Sequence, residues 1–335
     1  MKKLVCFGEA LIDFLHAEQE MHGGLNIPIF KQFPGGAPAN AAVAVAKLGG
    51  NAFFAGQVGD DTFGHFLRNA LAYYGVNTTH TLMHPEAQTA LAFVSLDHEG
   101  ERSFSFYRQN TADVIVNEDQ FPQTIFSDGD ILHVCSNTLT SKDIANTTLS
   151  LASRAKSNHA IVSVDVNLRH NLWDTGNADI QVVNALLSLA NIIKFSKEEL
   201  GYLSDENDDA YIDKLLQENK DCLLIVVTDG AKSVRYFTPT FSTSLDVPCV
   251  DVVDTTCGGD SFIGGLLYCL LEEYTPEQVI ASDDRLQHII RFAIACGAHT
   301  VSRQGAFPAL PTLNDVSTFL PIYQNQQDSA QHKYI

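Results

Sequence analysis

Hydrophobic and polar positions along this chain alternate between the period typical of strands and the period typical of helices. Runs rich in β-branched and aliphatic residues, such as "KLVCFG", "AIVSVDVN" and "LLIVVTDG", indicate strands buried on both faces. Amphipathic segments such as "ANAAVAVAKLG" and "SKDIANTTLSLASRAK" separate these runs and indicate helices. The pattern predicts an α/β fold with a mostly parallel, doubly wound sheet covered by helices on both faces. Ligands of such sheets bind at the carboxyl ends of the strands.

Two segments depart from this alternation. Residues 11–33 and 88–108 alternate apolar and polar side chains around glycine-containing turns, which is typical of exposed hairpins. We expect them to form a small β-sheet that acts as a lid over the strand ends of the main sheet. An extension of the sheet edge or a dimer contact is the alternative interpretation of the same pattern.

The chain has no internal repeat, no low-complexity tract and no proline-rich linker. We therefore expect residues 1–325 to form one domain, which is long enough to bury a substantial core. The polar segment 326–335 differs in composition from the rest and is expected to fray.

Composition narrows the functional classes. The formal net charge of −19 at pH 7 disfavours binding to nucleic acid or to an anionic membrane, because the average field of the protein repels both. Seven cysteines, an odd number without a CxxC pair, indicate buried thiols of a reducing compartment rather than disulfides or zinc ligands. Glu9 and Asp13 interrupt the amino-terminal apolar run before it reaches the length of a signal peptide. We therefore expect a cytoplasmic protein.

A glycine turn at residues 254–260, "DTTCGGD", precedes the apolar segment "SFIGGLLYCLL". We expect a strand to end near Val253 and a helix to begin near Asp260. Free backbone N–H groups and the helix dipole make such a start an anion site, which Gly258 and Gly259 leave open to a ligand. Asp260 is then either an ordinary N-cap or a residue with a chemical role.

A second glycine turn lies in "FPGGAPANAAVAVAKLGG", residues 33–50. Gly35 and Gly36 permit close approach of a ligand to the backbone, and Pro38 suits a first helical turn. The amide of Asn40 can both donate and accept a hydrogen bond, as polyol hydroxyls require. Alone, this turn is a weak indication, because Gly-Gly turns between strands and helices are common.

Together the two turns resemble the two signatures of the ribokinase, or PfkB, family of carbohydrate kinases. The early signature, a Gly-Gly pair followed four residues later by Asn, is present as Gly35, Gly36 and Asn40. The late signature, Asp-Thr-Thr, two small residues, Gly and Asp, is present at residues 254–260. Matching intervening segments extend the resemblance over residues 4–312. It implies a ribokinase-like fold and a kinase that uses ATP and Mg²⁺ to phosphorylate a small sugar.

The resemblance assigns the chemistry to the late signature. In this family the second aspartate of the late signature has a role similar to that of a general base. Asp260 would therefore take the proton of a sugar hydroxymethyl group while the oxygen of that group attacks the γ-phosphate. Phosphoryl transfer depends on alignment and charge stabilisation, which backbone N–H groups at Cys257, Gly258 and Gly259 would supply. Cys257 replaces the usual Ala or Gly. A thiol at a helix start should have a depressed pKa, so we expect its alkylation to inactivate the enzyme and ATP to slow it. A buried, inert thiol is the alternative.

The resemblance also implies the sugar-binding residues. Two of them, Tyr107 and Arg108, lie in an "FYR" stretch similar to that of fructokinases and 2-keto-3-deoxygluconate kinases. Arg169, in "DVNLRHNLW", would lie between sugar and phosphates, with surface ion pairing as the alternative. The remaining sugar-binding residues that the resemblance implies are Asp13, Gly35, Gly36 and Asn40.

On the nucleotide side the match is less complete. Glu199 in "NIIKFSKEEL" corresponds to the family's Glu that holds the water shell of Mg²⁺, whereas Ser196 replaces Asn. In "VVTDGAKSVRY" Ser233 replaces the final Gly of a nucleotide loop. Asp254 and Thr256 are candidates for the site of a monovalent cation. Dependence of the activity on K⁺ is a weaker expectation. The residues implied in nucleotide binding are Lys194, Glu199, Thr228, Gly230, Gly258 and Gly297.

Within this chemistry fructose is the leading substrate, because "FYR" and "NLRHNLW" are typical of fructokinases. A 2-keto-3-deoxygluconate kinase is the alternative, followed by ribokinase and nucleoside kinase. From other classes come a non-catalytic sugar-binding protein and a dinucleotide-dependent oxidoreductase, although "CFGEAL" lacks the G-x-G-x-x-G spacing. The lid is expected to pair two copies into a homodimer, as in the family.

Overall fold

The computed structural model describes residues 2–96, 102–205, 207–273 and 275–320. The segment 326–335 and residues 97–101 of the second lid segment lie outside this range. The strands are β1 (Leu4–Phe7), β2 (Leu11–His22), β3 (Leu25–Gly35), β4 (Ala52–Gly59), β5 (Thr81–His84), β6 (Leu91–Leu96), β7 (Arg102–Tyr107), β8 (Ile131–Cys135), β9 (Ile161–Asp165), β10 (Ile192–Ser196), β11 (Leu224–Thr228), β12 (Ser233–Phe237) and β13 (Ser242–Asp246). The helices are α1 (Ala37–Lys47), α2 (Thr62–Tyr73), α3 (Lys142–Ser157), α4 (Ile180–Leu187), α5 (Lys197–Ser204), α6 (Asp208–Glu218), α7 (Gly258–Glu272), α8 (Pro276–Ile280) and α9 (Asp283–Val301).

The main sheet has the strand order β13-β12-β11-β10-β9-β8-β1-β4-β5. Neighbours from β11 to β5 are parallel, and β12 and β13 add an antiparallel edge. In β1, Leu4 lies opposite Ala52 on one side and Ile131 on the other. The predicted mostly parallel α/β sheet is confirmed.

Helices bury both faces of this sheet. Alternate residues of β1 belong to different cores: Leu4 and Cys6 pack with α1, α7 and α9, whereas Val5 and Phe7 pack with α3, α4 and α5. This is why the strand sequences are continuously apolar rather than alternating. Within the described ranges, no helix is both long enough and apolar enough to span a membrane.

Contact between α1 and α7 sets the geometry of the strand ends. A Cβ at Gly264 of α7 would lie 2.5 Å from the Cβ of Ala44 in α1, so the absence of a side chain permits the close packing. Each of these helices begins directly after one of the two glycine turns. Their packing therefore brings the two turns together.

The lid strands form a separate sheet with the order β3-β2-β6-β7. β2 pairs antiparallel with β3, β6 pairs antiparallel with β7, and the parallel pair β2–β6 joins the two segments. Phe14 of β2 packs edge-on against Phe63 of α2, with ring centroids 5.9 Å apart, and so ties the lid to the body. The predicted small β-sheet is confirmed.

Candidate active site

A cavity of about 770 Å³ lies at the carboxyl ends of the central strands. Following the sheet order, its wall runs from Glu9 after β1 and Asn137 after β8, through Asp165 at the end of β9, to Ser196 and Thr228 at the ends of β10 and β11. The lid contributes Leu11, Asp13 and Phe106 to the lining. The cavity lies where ligands of parallel α/β sheets bind.

The late glycine turn forms an open helix start at this cavity. Cys257 is the N-cap of α7 and has left-handed backbone angles, φ 62° and ψ 4°. The helix begins at Gly258, so the predicted start near Asp260 is too late. No side chain caps this end, and the N–H of Gly258 makes only a long hydrogen bond of 3.4 Å to the carbonyl of Thr255, so the first turn stays open to a ligand.

Asp260 points to the other glycine turn instead of capping the helix. Its Oδ2 accepts a hydrogen bond of 2.7 Å from Nδ2 of Asn40, so the N-cap interpretation is excluded. Burial, followed by the charge of Asp165, raises the pKa of Asp260 to about 6, while the Asn40 hydrogen bond lowers it. The carboxylate is thus ionised near neutral pH yet basic enough to accept a proton.

The early glycine turn seats the second carboxylate of the cavity. Gly36 has φ +104°, and a Cβ there would collide with the carbonyl oxygen of Glu9. A Cβ at Gly35 would collide with the carboxylate of Asp13. Burial, then the charge of Asp260, raises the pKa of Asp13 to about 7. The two carboxylates therefore interact across one cavity, with Asn40 beside them.

Positive groups oppose this negative charge. Lys194 is buried and its Nζ lies 2.9 and 2.8 Å from the carboxylate oxygens of Asp165. Burial opposes its charge, but Asp165 and Glu199 raise the pKa of Lys194 overall, which keeps the ammonium charged. A Cβ at Gly259 would be 3.3 Å from this nitrogen, so Lys194 lies directly beneath the helix start. Arg169 lines the cavity, and its charge lowers the pKa of both Asp13 and Asp260.

Glu199 closes a capping box at the start of α5. Its Oε2 accepts from the backbone N–H of Ser196 at 2.7 Å, and its Oε1 accepts from that of Leu168 at 3.0 Å. The Ser196 hydroxyl accepts from the N–H of Glu199 at 3.2 Å. Both residues line the cavity. The local structure therefore explains why Ser196 can replace the family's Asn, because its side chain caps the start of α5.

Two of the other residues that the resemblance assigns to nucleotide or cation binding, Thr228 and Thr256, line the cavity, and the rest lie outside its lining. Thr228 lines it, whereas Gly230 forms the turn after β11 and Gly297 packs in α9 against the carbonyl of Gly258. Asp254 is buried and accepts from the backbone N–H groups of Thr256, at 2.8 Å, and Gly305, at 3.1 Å. It thereby fixes the loop that leads into α7. Thr256 lines the cavity.

Three predicted sugar contacts, Gly35, Tyr107 and Arg108, do not line the cavity. Tyr107 is 63% exposed and packs on Phe93, with ring centroids 5.5 Å apart. Its neighbour Phe106 faces the cavity instead, because successive side chains of a strand point to opposite faces. Arg108 is buried behind the wall in an ion pair with Asp113.

The sequence analysis did not assign three polar residues that line the cavity, Glu9, Asp165 and Asn137. Glu9 and Asp165 each follow an apolar run, and this signal could have identified them. No sequence pattern points to Asn137.

The expected depressed pKa of Cys257 is wrong. The side chain is buried, with 7% exposure, and burial raises the pKa of the thiol well above its usual value. The charges of Asp260 and Asp13 raise it further. Loss of hydration and nearby carboxylates outweigh the favourable field of the helix start.

Comparison with known proteins finds similar sequences and structures over most of the chain. Residues 1–313 match the model of the pfkB family carbohydrate kinases. The chain is similar to probable fructokinase-6, chloroplastic, of Arabidopsis thaliana, with 40% identity over 92% of this chain and 80% of that protein. Its structure is similar to that of fructokinase with bound ATP from Xylella fastidiosa, with TM-score 0.89 and 40% identity over 97% of this chain and 99% of that one.

A further similarity is to a fructokinase double mutant from Vibrio cholerae O395 in a form with fructose, ADP and potassium ion bound, with TM-score 0.83 and 33% identity. That match covers 96% of this chain and 98% of the other. The family model, the relatives and the geometry at the two glycine turns agree. The chain belongs to the pfkB family of carbohydrate kinases.

Proposed function

We propose that this protein transfers the γ-phosphate of ATP to a hydroxymethyl group of fructose. The observation that carries the proposal is the position of Asp260, whose carboxylate lies at the open start of α7 and is held by Asn40 of the other glycine turn. A proton acceptor and an anion site thus share one cavity. Fructokinases from plants are among the relatives in sequence, and fructokinases from bacteria are among those of similar fold.

Asp260 accepts the proton of the attacking hydroxyl, and Asn40 orients the carboxylate that does so. The N–H groups of Cys257, Gly258 and Gly259 stabilise the negative charge on the phosphoryl oxygens. Arg169, on the cavity wall, adds positive charge between the two substrates. Asp13, seated against Gly35, accepts hydrogen bonds from sugar hydroxyls at the lid side.

ATP occupies the end of the cavity near β10 and β11. Support comes from Thr228 on its wall and from Lys194 beneath the helix start, where an ammonium can meet phosphate charge. Gly230 leaves the turn after β11 without a side chain, and Gly297 and Gly258 keep the backbone of α7 close to α9. ADP release under saturating sugar, measured against ATP concentration, tests this placement in Thr228→Val.

Glu199 is the residue proposed to hold Mg²⁺, through water. Among the described residues no group of three or more His, Cys, Asp or Glu could hold a metal ion by itself. Mg²⁺ commonly takes its ligands from phosphates, waters and one or two carboxylates, which fits a single cavity-lining Glu. When bound, the ion would neutralise phosphate charge. Glu199→Gln should raise the Mg²⁺ concentration needed for half-maximal activity, while an unchanged requirement would argue against this role.

Asp254 and Thr256 are proposed to lie near a monovalent cation that stabilises the helix start. The support is their position in the loop that Asp254 ties to Gly305, directly before the anion site. The relative from Vibrio cholerae has a form with potassium bound. Replacing K⁺ by tetramethylammonium should lower turnover; equal rates in both salts would oppose the proposal.

We also propose that two copies pair through their lids. Met21, Leu25 and Ile27 leave apolar side chains 66, 66 and 40% exposed on the long hairpin of the lid. Sedimentation of Leu25→Asp should give monomer, whereas Tyr73→Asp, at a position on α2 that is 82% exposed, should not.

We propose a cytoplasmic location for the protein. All seven cysteines are free thiols, which supports a reducing compartment such as the cytoplasm. Cell fractionation tests this location.

The experiment that decides the function is a coupled ADP-release screen over fructose, ribose, 2-keto-3-deoxygluconate, tagatose and nucleosides. Fructose should give the highest kcat/KM. Tyr107 and Arg108, on which the fructose and 2-keto-3-deoxygluconate interpretations both depend, do not line the cavity, whereas Arg169 of the fructokinase-like "NLRHNLW" stretch does. Preference for another sugar would change the substrate but keep the kinase, and no ADP release with any sugar would overturn it.

A further inference from the structure

A buried polar cluster lies behind one end of the cavity, and we name its members, Glu9, Arg108 and Asn137, the Glu9 corner. Glu9 follows β1, Asn137 follows β8, and Arg108 follows the lid strand β7. Asn137 Nδ2 donates to Glu9 Oε1 at 3.0 Å, and Arg108 Nη1 donates to the carbonyl of Asn137 at 2.8 Å. Arg108 Nε donates to Asp113 at 2.5 Å. The corner therefore holds its own side chains rigidly.

Each member nevertheless keeps one buried polar atom without a hydrogen bond, although two of these atoms, Arg108 Nη2 and Glu9 Oε2, form a long ion pair. Glu9 Oε2, Asn137 Oδ1 and Arg108 Nη2 are buried and have no hydrogen bond to any described residue. Arg108 Nη2 is 3.9 Å from Glu9 Oε2, beyond hydrogen-bond distance. Buried polar groups in native proteins normally make hydrogen bonds, so three buried polar atoms without one in the same place indicate a ligand. A hydroxyl, which both donates and accepts, can pair with one of the two acceptors and with the donor.

The position of the Glu9 corner indicates whether it contacts the sugar or the nucleotide. Glu9 and Asn137 line the cavity at β1 and β8, whereas the nucleotide end lies at β10 and β11 on the other side of β9. The charge of Glu9 also contributes to the raised pKa of Asp13, which places the two carboxylates near each other. The corner thus lies at the sugar end, away from the phosphates.

We propose that Glu9 is a specificity-determining residue that accepts a hydrogen bond from a sugar hydroxyl remote from the one that is phosphorylated. Asn137 and Arg108 are positioning residues that fix its carboxylate. This inference deepens the proposed sugar kinase function and rests on it. A site built to bind a hydroxyl rejects the analogue that lacks it, because the buried carboxylate is then left unpaired.

A purely structural role makes a different prediction. The same contacts could serve only to anchor the end of β7 to the body, in which case removing the charge of Glu9 would affect every sugar alike. A hydroxyl contact instead affects one position of the sugar. Comparison of analogues therefore separates the two roles.

The test measures kcat and KM for fructose and for each of its monodeoxy analogues, in wild type and in Glu9→Gln. One analogue should be disfavoured about 100-fold in kcat/KM by the wild type, and that ratio should fall below about 10-fold in the variant. The KM for fructose should rise about tenfold, because a charge-assisted hydrogen bond is lost. Ratios for the other analogues should stay as in the wild type.

Glu118→Gln is the matched control. Glu118 also carries an ion pair, 3.7 Å from Arg154, but lies away from the cavity lining, so all ratios should be retained. If circular dichroism shows that Glu9→Gln is unfolded, Glu9→Asp keeps the charge and withdraws the carboxylate by one methylene. A folded variant with the wild-type ratio for every analogue overturns the inference alone. A wild type that phosphorylates no sugar overturns the proposed function and this inference with it.

Discussion

Asn40 donates a hydrogen bond of 2.7 Å to Asp260 although 220 positions of sequence separate the two residues. Each lies in the first turns of a helix that follows a glycine turn, and the packing of α1 against α7 brings them together. Asn40 Oδ1 is buried and has no partner in the described part of the chain. One amide therefore orients the proposed base and keeps an acceptor for a hydroxyl.

Replacing Asp260 by Asn should lower turnover by about 10²-fold or more, because a positioned base is removed while the shape of the site is kept. Sugar binding, measured by calorimetry, should be largely retained. Asp251→Asn, at an exposed carboxylate in the preceding loop, is the control for loss of one charge. Near-normal turnover of Asp260→Asn would end the assignment of Asp260 as base.

Replacing Asn40 by Ala should move the acid side of the pH–rate profile upward. The Asn40 hydrogen bond favours the ionised carboxylate and lowers the pKa of Asp260, which burial raises to about 6 with the bond in place. Without it, fewer molecules carry an ionised base at pH 6, whereas at pH 8 the base is ionised in both proteins. Activity should therefore fall more at pH 6 than at pH 8. An equal loss at both values would contradict the electrostatic role of this bond.

Replacing Asp13 by Asn should stabilise the protein without substrates at pH 8. Burial and neighbouring carboxylates raise the pKa of Asp13 from 3.8 to about 7, so the folded state binds its proton more tightly than the unfolded state. The free energy of unfolding consequently falls as pH rises from 3.8 to about 7. Above pH 7 the ionised carboxylate lowers it by on the order of 1 kcal/mol or more.

Thermal unfolding at pH 4 and pH 8 measures this effect. The gain of Asp13→Asn over wild type should be largest at pH 8 and much smaller at pH 4, where the folded state is protonated and the unfolded state, with a pKa of 3.8, is close to half protonated. Fructose affinity should fall at the same time. A variant that is less stable at pH 8 would show that Asp13 makes a net favourable contribution in the empty cavity.

Replacing Gly36 by Ala should abolish sugar phosphorylation and destabilise the fold by about 2 kcal/mol or more, because strain of positive φ adds to a collision with the Glu9 carbonyl. Gly49 offers a matched control with φ +98° and no atom within 4 Å of an added Cβ. Gly49→Ala should lose only the backbone contribution and keep its activity. Equal losses of free energy of unfolding in the two variants would mean that the close approach at Gly36 is unimportant.

Cys257 should resist alkylation although it lies at a helix start. Burial raises the pKa of its thiol, whereas Cys249 is the exposed one among the seven cysteines, all of which are described. Mass spectrometry after brief treatment with iodoacetamide at pH 8 should find label on Cys249 and not on Cys257. Cys249→Ser should then be labelled slowly and retain activity. Rapid labelling of Cys257, with protection by ATP, would restore the original expectation of a reactive thiol.

The sequence by itself was sufficient for the parts of this protein that depend on local chemistry. Continuous apolar runs indicate strands covered on both faces, and Gly-Gly pairs before apolar helices indicate open helix starts, because backbone conformation and helix ends are decided by nearest neighbours. The α/β sheet followed from these patterns, the lid sheet from the apolar and polar alternation of residues 11–33 and 88–108, and the family from the resemblance of the two glycine turns to its signatures. The roles of Asp260 and Asp13 stay predictions that the geometry supports.

Contacts between distant segments were decided only by the tertiary structure. The side chain facing the cavity from β7 is Phe106 rather than Tyr107, because the register of the lid sheet selects the face. The thiol of Cys257 is less acidic than a helix start suggests, because its pKa depends on how many neighbours exclude water from it. The Glu9 corner, like the Asn40 bond to Asp260, exists only because packing brings separate strand and helix ends to one point.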